Sequence, residues 1–509
     1  MAMPLMTAPA SGVKVRMYRQ GHGDCFLLAF PTGKERPFYL LIDCGYKPGS
    51  NGKKYGLAGI RDIVNDIGAA TGNHLDLVII THEHQDHVNG IWKQSKPYFA
   101  GFEIGAAWFA WTEDPKDSLA IELRKRHHDQ LLGLVAARNR MAAARAPDGE
   151  GETLRRLDDL LSLELGTDEA GSFAAKAKDP ASSVNKQAMK LVKDKAKTKP
   201  KYIVPFEEIL RLPGVQGVRI FAFGPPYSAD LLADEDPQGA EAFPGHGFGA
   251  TTRGSFFAAA QADESEPGIQ PFAKRFGVRL AEAYTSDPSA TFFNRFYSAA
   301  PPATEAAGSE VADNAAFRRI DNDWLYSAED LALVLNKGIN NTSLALAFEL
   351  EKSRKVLLFI GDAQRGSWKS WTKGSWKDGS GKEITVRDLM ARTVLYKVGH
   401  HGSHNATLAG TADDDYPNLG WMGQGSFGRE FTAMITAVKD WAYAQTPVWA
   451  HPLNSIKEEL VRKTAGRVFQ TDTGTLEQPK NVSDLEWDEF MQRTTVGTLY
   501  FEYEVADQE

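Results

Sequence analysis

The stretch Leu75 to Gly90, LDLVIITHEHQDHVNG, constrains this chain more than any other. An unbroken apolar run from Leu77 to Ile80 has the β-branched character of a buried strand, and it stops at a polar segment carrying His82, His84, Asp86 and His87. Only 12 histidines occur in 509 residues, so three of them crowded at one strand end demand a chemical explanation. Imidazole nitrogen and carboxylate oxygen are ligands that borderline divalent metals such as Zn²⁺ take at roughly 2.0–2.2 Å. In extended backbone His82 and His84 point to one face and can chelate one ion, while Asp86 and His87 follow a turn and can face a second. A helical zinc-protease motif does not fit, because it needs a second histidine one helical turn after His82, and Asp86 stands there.

The run His82-Glu83-His84-Gln85-Asp86-His87 resembles the HxHxDH signature of the metallo-β-lactamase superfamily. The resemblance implies an α+β fold, a four-layer αββα sandwich with two β-sheets face to face, helices outside and the metals at one open edge. The phrases RQGHGDCFLLAF and FYLLIDCG, and the Gly224-Pro225-Pro226 that ends the strand pattern Val218 to Phe223, are similar to one branch of it. That branch contains the hydrolase domain of the competence DNA-uptake channel and the phosphorylcholine esterase of teichoic acids.

Later motifs extend the candidate site. Lys355 to Ile360 reads as an apolar strand, and an Asp set directly after it, in Gly361-Asp362, is poorly explained as core. Val394 to Val398 leads into Gly399-His400-His401-Gly402-Ser403-His404. Under the resemblance His82 and His84 hold a first metal, Asp86 and His87 a second, and Asp362 bridges the two. One of His400 and His401 completes the second site and the other lies near the leaving group. Spacing does not separate them; His400 is assigned as the ligand and His401, with Asp86, as catalytic. His451, before Pro452, is a third catalytic candidate, either a late ligand or acid–base group or a buried structural histidine. Asp43, Asp24 and His22 read either as groups behind the metals or as turn residues. The superfamily often adds a further histidine to the first metal from the loop before the Asp362 strand, where this chain has Asn340 and Asn341. The first site is then Asn-assisted, weakly occupied, or filled by His246 from the loop GHGFG, and Mn²⁺ comes into play beside Zn²⁺ as the pair of ions.

The length suits one large elaborated domain or two domains, and apolar content of 42% with 10% aromatic residues is that of a globular chain. A net charge of −8 argues against coating nucleic acid by overall charge. Cys25 and Cys44 lie in apolar strand-like runs and read as reduced, buried thiols. No apolar segment reaches the roughly 20 residues of a membrane span, so a soluble, cytoplasmic protein without membrane contact is expected.

The resemblance assigns residues 13–111, 216–227 and 336–509 to the sandwich. Within them, Ile91 and Trp92 are expected to begin a short helix and Pro447 to Ala450 to form a strand. Residues 112–215 are expected to be an insertion, an αα-hairpin followed by a Lys-rich run from Lys176 to Lys201. That run is either a solvated helix face or arm, or an electrostatic contact for a phosphate-bearing substrate. Residues 228–335, rich in Ala, Gly, Pro, Ser and acids, are expected to be a loop-rich insertion. The resemblance implies hydrolysis by a dinuclear site with a bridging hydroxide, acting on an anionic phosphodiester such as DNA or RNA. Hydrolysis of a lactone, amide or thioester is the enzymatic alternative. A metal-containing protein-interaction component, binding a partner through the insertions, is the other.

Overall fold

The computed structural model describes residues 5–93, 96–143, 150–167, 169–179, 182–244, 291–292, 295, 338–445 and 448–508. Most of the expected second insertion, His246 included, lies outside them.

Fourteen of the strands among the described residues build two large sheets, here numbered in chain order. They are β1 (Gly12–Tyr18), β2 (Cys25–Phe30), β3 (Phe38–Cys44), β4 (His74–Ile80), β5 (Glu103–Ala110), β6 (Lys201–Ile203) and β7 (Val218–Gly224). After the second insertion come β8 (Ala345–Leu350), β9 (Val356–Phe359), β10 (Thr393–Lys397), β11 (Thr432–Ile435), β12 (Val468–Gln470), β13 (Thr494–Val496) and β14 (Tyr500–Ala506). They form an eight-stranded sheet, β13-β14-β1-β2-β3-β4-β5-β6, and a six-stranded sheet, β12-β11-β10-β9-β8-β7. Strands β3 to β6 run parallel to one another, as do β9 to β12.

The inward faces of both sheets share one core, with Val15, Phe26, Leu28 and Ile79 from the first sheet against Ile220, Leu346, Phe348 and Phe359 from the second. Each outer face is covered by helices. On the first, α1 (Ile60–Thr71) and the helix Val184–Lys195 pack Ile63, Ile67, Ala188 and Val192 against Leu27, Leu41 and Val78. On the second, helices Arg365–Trp371, Val386–Ala391 and Asn454–Lys463 pack Trp368, Leu389 and Ile456 against Phe221, Ala347 and Tyr396. The result is a mixed sandwich of two sheets between helices. Central strands such as β2 and β3 are buried along their whole length, which is why they read as near-continuous apolar runs.

Several expectations change in detail. Trp92–Lys93 is a two-residue strand pairing with Lys96–Pro97, and the short helix comes earlier, over Gln85–Val88, within the histidine motif itself. Val448 to Ala450 is not a strand. The stretch 112–215 is not wholly an insertion either, because β6 joins the first sheet beside β5, and Val184–Lys195 belongs to its outer layer. The expected hairpin is present as two helices, Ser118–Ala143 and Glu150–Leu165, with their own small apolar core. Cys25 and Cys44 are buried free thiols facing each other across β2 and β3. Among the described residues no helix is long and apolar enough to cross a membrane.

Phe359 ties the two layers together, its ring 5.3 Å from Phe26 across the sandwich and 5.8 Å from Phe348 beside it. Phe359→Ala is expected to cost about 3–5 kcal/mol, read as a lowered urea midpoint. A loss below about 1 kcal/mol would contradict this placement of the core.

Candidate metal centre

The parallel strands of both sheets deliver their carboxyl ends to one rim, the usual position for a ligand site in sheets of this kind. From the first sheet, β3 ends at Asp43-Cys44 and β4 runs into His82, His84, Asp86 and His87. From the second, β9 is followed by Asp362, β10 by His400 and His401, and β11 by Thr436. Asp24 stands just before β2, antiparallel to β3, and so reaches the same rim. The backbone is shaped for the purpose. Asp43, His400 and His401 have φ of 55°, 41° and 54°, a left-handed conformation that non-glycine residues adopt at some cost and that clusters at functional sites. Gly45 lets the motif helix sit close, since a Cβ there would lie 2.4 Å from the backbone of Asp86 and His87.

His82, His84, Asp86, His87, Asp362 and His401 are all buried and converge. His82 Nε2 faces His84 Nδ1 at 3.1 Å. His87 Nε2 is 3.2 Å from Asp362 Oδ2, and His401 Nε2 is 3.2 Å from Asp86 Oδ2 and 3.5 Å from Asp362 Oδ2. Ligand atoms set tetrahedrally at the bond lengths of zinc sites are about 3.3–3.4 Å from one another, and these separations are close to that spacing.

Behind each of these imidazoles an oxygen holds the other nitrogen. His87 Nδ1 meets Asp43 Oδ2 at 2.8 Å, and His84 Nε2 meets Glu164 Oε1 at 3.1 Å. His401 Nδ1 meets Thr436 Oγ1 at 2.9 Å, and His82 Nδ1 meets Ser343 Oγ at 3.2 Å. A carboxylate can only accept, so Asp43 and Glu164 fix the protonated nitrogen and leave the inner one with its lone pair, the usual arrangement around metal-ligating histidines.

Asp24, His87, Asp362 and His401 bring ligand atoms within 4.8 Å of one another, and this buried group could hold a metal ion. Asp24, however, approaches the outer nitrogens, 3.9 Å from His87 Nδ1 and 3.7 Å from His401 Nδ1, and is engaged by Lys397 at 2.5 Å and Thr436 at 2.6 Å. It therefore stands behind the histidines, while Asp86 and Asp362 share the inner side with their Nε2 atoms. Three buried atoms here lack a hydrogen-bond partner among the described residues: Asp86 Oδ1, His87 Nε2 and Asn340 Oδ1. Orphaned donors and acceptors in one pocket fit a cation better than they fit a finished hydrogen-bond network.

Electrostatics point the same way. Asp24, Asp43, Asp86 and Asp362 are all buried, and one ammonium, Lys397, contacts Asp24 and Asp362. Burial would raise the pKa of Asp362, yet His87, His401 and Lys397 outweigh it and hold the carboxyl well below its ordinary range. Burial opposes a charge on His87 too, but Asp362, Asp24 and Asp43 push its pKa well above normal. Without a cation the site must recruit protons to balance its carboxylates.

Of the two adjacent histidines, it is His401, not His400, that turns toward the carboxylates. His401 Nε2 lies among the carboxylates, whereas His400 Nε2 is 3.9 Å from Asp362, 3.4 Å from Asn340 Nδ2 and on a side chain 16% exposed. Burial, with His401 nearby, pushes its pKa down to about 4 despite Asp362. His451 reaches none of the carboxylates among its described contacts; its Nδ1 is 3.2 Å from His22 Nε2, in a layer with Trp441 and Trp449. Asn341 is used up structurally, bonded to Leu232, Asp234 and the Gln364 amide. Glu164 is the residue that sequence reasoning missed, because nothing in its helical context marks it.

The Lys-rich run is also not free. Lys186 donates to Glu83, Lys190 to Asp194, Lys193 to Glu113, Lys197 to Glu103 and Lys201 pairs with Glu208, so its charge is largely compensated within the chain. A cavity of about 730 Å³ opens beyond Glu164, with Glu83, Glu113, Arg124, His127 and Lys186 in its wall. Glu113 illustrates the compensation. Burial raises its pKa, but Lys186 and Lys193 outweigh this and hold it at about 2, against an ordinary 4.5. Because the folded value is depressed, the stability it contributes is present above pH 4.5 and lost as pH falls toward 2. Glu113→Gln is expected to be less stable than wild type near pH 7, with the gap closing below about pH 4 in denaturant titrations. A gap that stays constant or widens in acid would overturn this reading of the run.

No protein-family model matches the chain, and no curated protein or solved structure matches it either, so the chemistry of the rim rests on its own geometry.

Proposed function

We propose that this chain is a divalent-metal-dependent hydrolase of the metallo-β-lactamase kind, with two cation positions and phosphodiesters as its substrate class. The observation that carries the reading is the paired orientation of four histidines, each tethered at its outer nitrogen and presenting the inner one to a shared space. Structural zinc cages are closed by four ligands, whereas this donor set is spread over two adjoining positions. His82 and His84 would hold the first cation, and Asp86, His87 and His401 the second. Asp362, beside His87 and His401, would be shared, and the orphaned Asn340 oxygen is the nearest substitute for a third nitrogen at the first position. Zn²⁺ suits the nitrogen donors, with Mn²⁺ as the alternative if the first position leans on oxygen.

Two bound dications supply Lewis acidity and ionise water near neutral pH. They would also offset the negative charge that Asp24, Asp43, Asp86, Asp362 and Glu164 set against Lys397. An anionic ester then gains from entry and from the further charge it develops on reaction. Around that exchange the chain's own residues position and protonate. Asp86 and Asp362 orient the groups between the sheets. His400, kept neutral at pH 7 by burial and partly exposed, presents Nε2 beside Asp362 as a proton acceptor. Lys397 bridges Asp24 and Asp362 from behind and, with His87 and His401, favours the ionised form of Asp362.

Metal-loaded protein is expected to hydrolyse bis-p-nitrophenyl phosphate, to lose turnover on chelation and to regain it on reloading. Asp362→Ala should lower kcat/KM at least about a hundredfold with the circular dichroism spectrum unchanged. Turnover of lactones or thioesters without phosphodiesters would replace the substrate class, and full activity in Asp362→Ala would remove the proposed centre.

A further inference from the structure

We infer that Glu164, carried by the inserted helical hairpin, is the positioning residue for His84, holding it as the Nε2–H tautomer with Nδ1 directed at the first cation position. The inference rests on the two-cation reading above and goes beyond it, because it makes the insertion part of the centre.

Glu164 lies at the end of the helix Glu150–Leu165, its side chain only 3% exposed. One carboxylate oxygen takes His84 Nε2 and the other takes His127 Nε2 from the helix Ser118–Ala143, each at 3.1 Å. A neutral imidazole has one protonated and one free nitrogen, so a carboxylate on Nε2 decides which of them His84 turns inward. Asp43 makes the mirror choice at His87, fixing Nδ1 and freeing Nε2. The histidine motif thus depends on one carboxylate from within the sandwich and another from far outside it.

The carboxylate is held in place with care. Asn185 Nδ2 donates to the carbonyls of Leu163 and Glu164, at 2.7 and 3.1 Å. Lys47, in the loop after β3, donates to Ser162 Oγ at 3.0 Å and to the Asp159 carbonyl at 3.1 Å. Lys186 meets Glu83, the residue between His82 and His84. Sandwich, hairpin and the helix Val184–Lys195 therefore meet around one side chain. By linkage, whatever Glu164 adds to cation affinity at the first position, a bound cation adds to the docking of the hairpin.

Zn²⁺ titration and elemental analysis test this on the full chain, together with hydrogen exchange. Wild type is expected to retain two ions per chain. In Glu164→Gln, whose amide can donate to Nε2 and favour the wrong tautomer, affinity at the first position should fall about 10–100-fold, leaving one ion. Chelation of wild type should raise exchange across Ser118–Leu165, and loaded Glu164→Gln should show that raised exchange already. His127→Ala, which leaves Glu164 on His84, should lose much less. The inference is overturned if Glu164→Gln keeps both ions at wild-type affinity, if it loses both, or if His127→Ala does equal damage. A wild-type chain that binds no divalent ion would instead overturn the two-cation reading itself.

Discussion

Four buried carboxylates, only two of them in contact with the one ammonium of Lys397, set the terms for everything around them. Asp24, Asp43, Asp86 and Asp362 cannot all remain ionised away from water without partners, and Lys397 answers only part of the charge. In the bare chain the imidazole of His87 is driven to hold a proton in compensation. Under the proposed reading a pair of dications would resolve the same imbalance while releasing that proton, so that metal binding and the folded geometry of the rim would support each other. The strained backbone at Asp43, His400 and His401 is understandable in that light, as local cost tolerated where the side chains must converge.

Topology makes the convergence available. Parallel strands end on one side of their sheet, and two such sets packed face to face place two rows of strand ends along one shared rim. The apolar strands do the work of rigidity, with core contacts such as Phe26 against Phe359 fixing how far the rows stand apart. Residues beyond the strand ends are then free to be polar. The inserted hairpin would be an ornament in this scheme were it not for Glu164, which reaches the rim from outside the sandwich.

Much of this was legible in the sequence because it was local. An apolar run ending in His82 to His87, or in Gly361-Asp362, announces a strand end with donors on it, and those donors do meet. What stayed hidden depended on distant partners or on backbone twist. Glu164 sits in a helical pattern that gives no hint of His84 beside it. The Lys-rich run looked unbalanced because its acids, Glu83, Glu103 and Glu113, come from other elements. His400 and His401 are adjacent and chemically identical, and only their left-handed backbone decides which ring turns inward. Asp24 read equally well as a turn residue, since its role behind the histidines needs Thr436 and Lys397 in place.

The central claim is that the tethered histidines and their carboxylates enclose two cations between the sheets. Crystals of the zinc-loaded protein, measured at the zinc absorption edge, test it most directly. The account predicts two anomalous peaks about 3.5–4 Å apart. One should lie against His82 Nε2 and His84 Nδ1, the other against Asp86, His87 Nε2 and His401 Nε2. An empty rim, or a lone peak on Asp24 and the outer nitrogens, would contradict it.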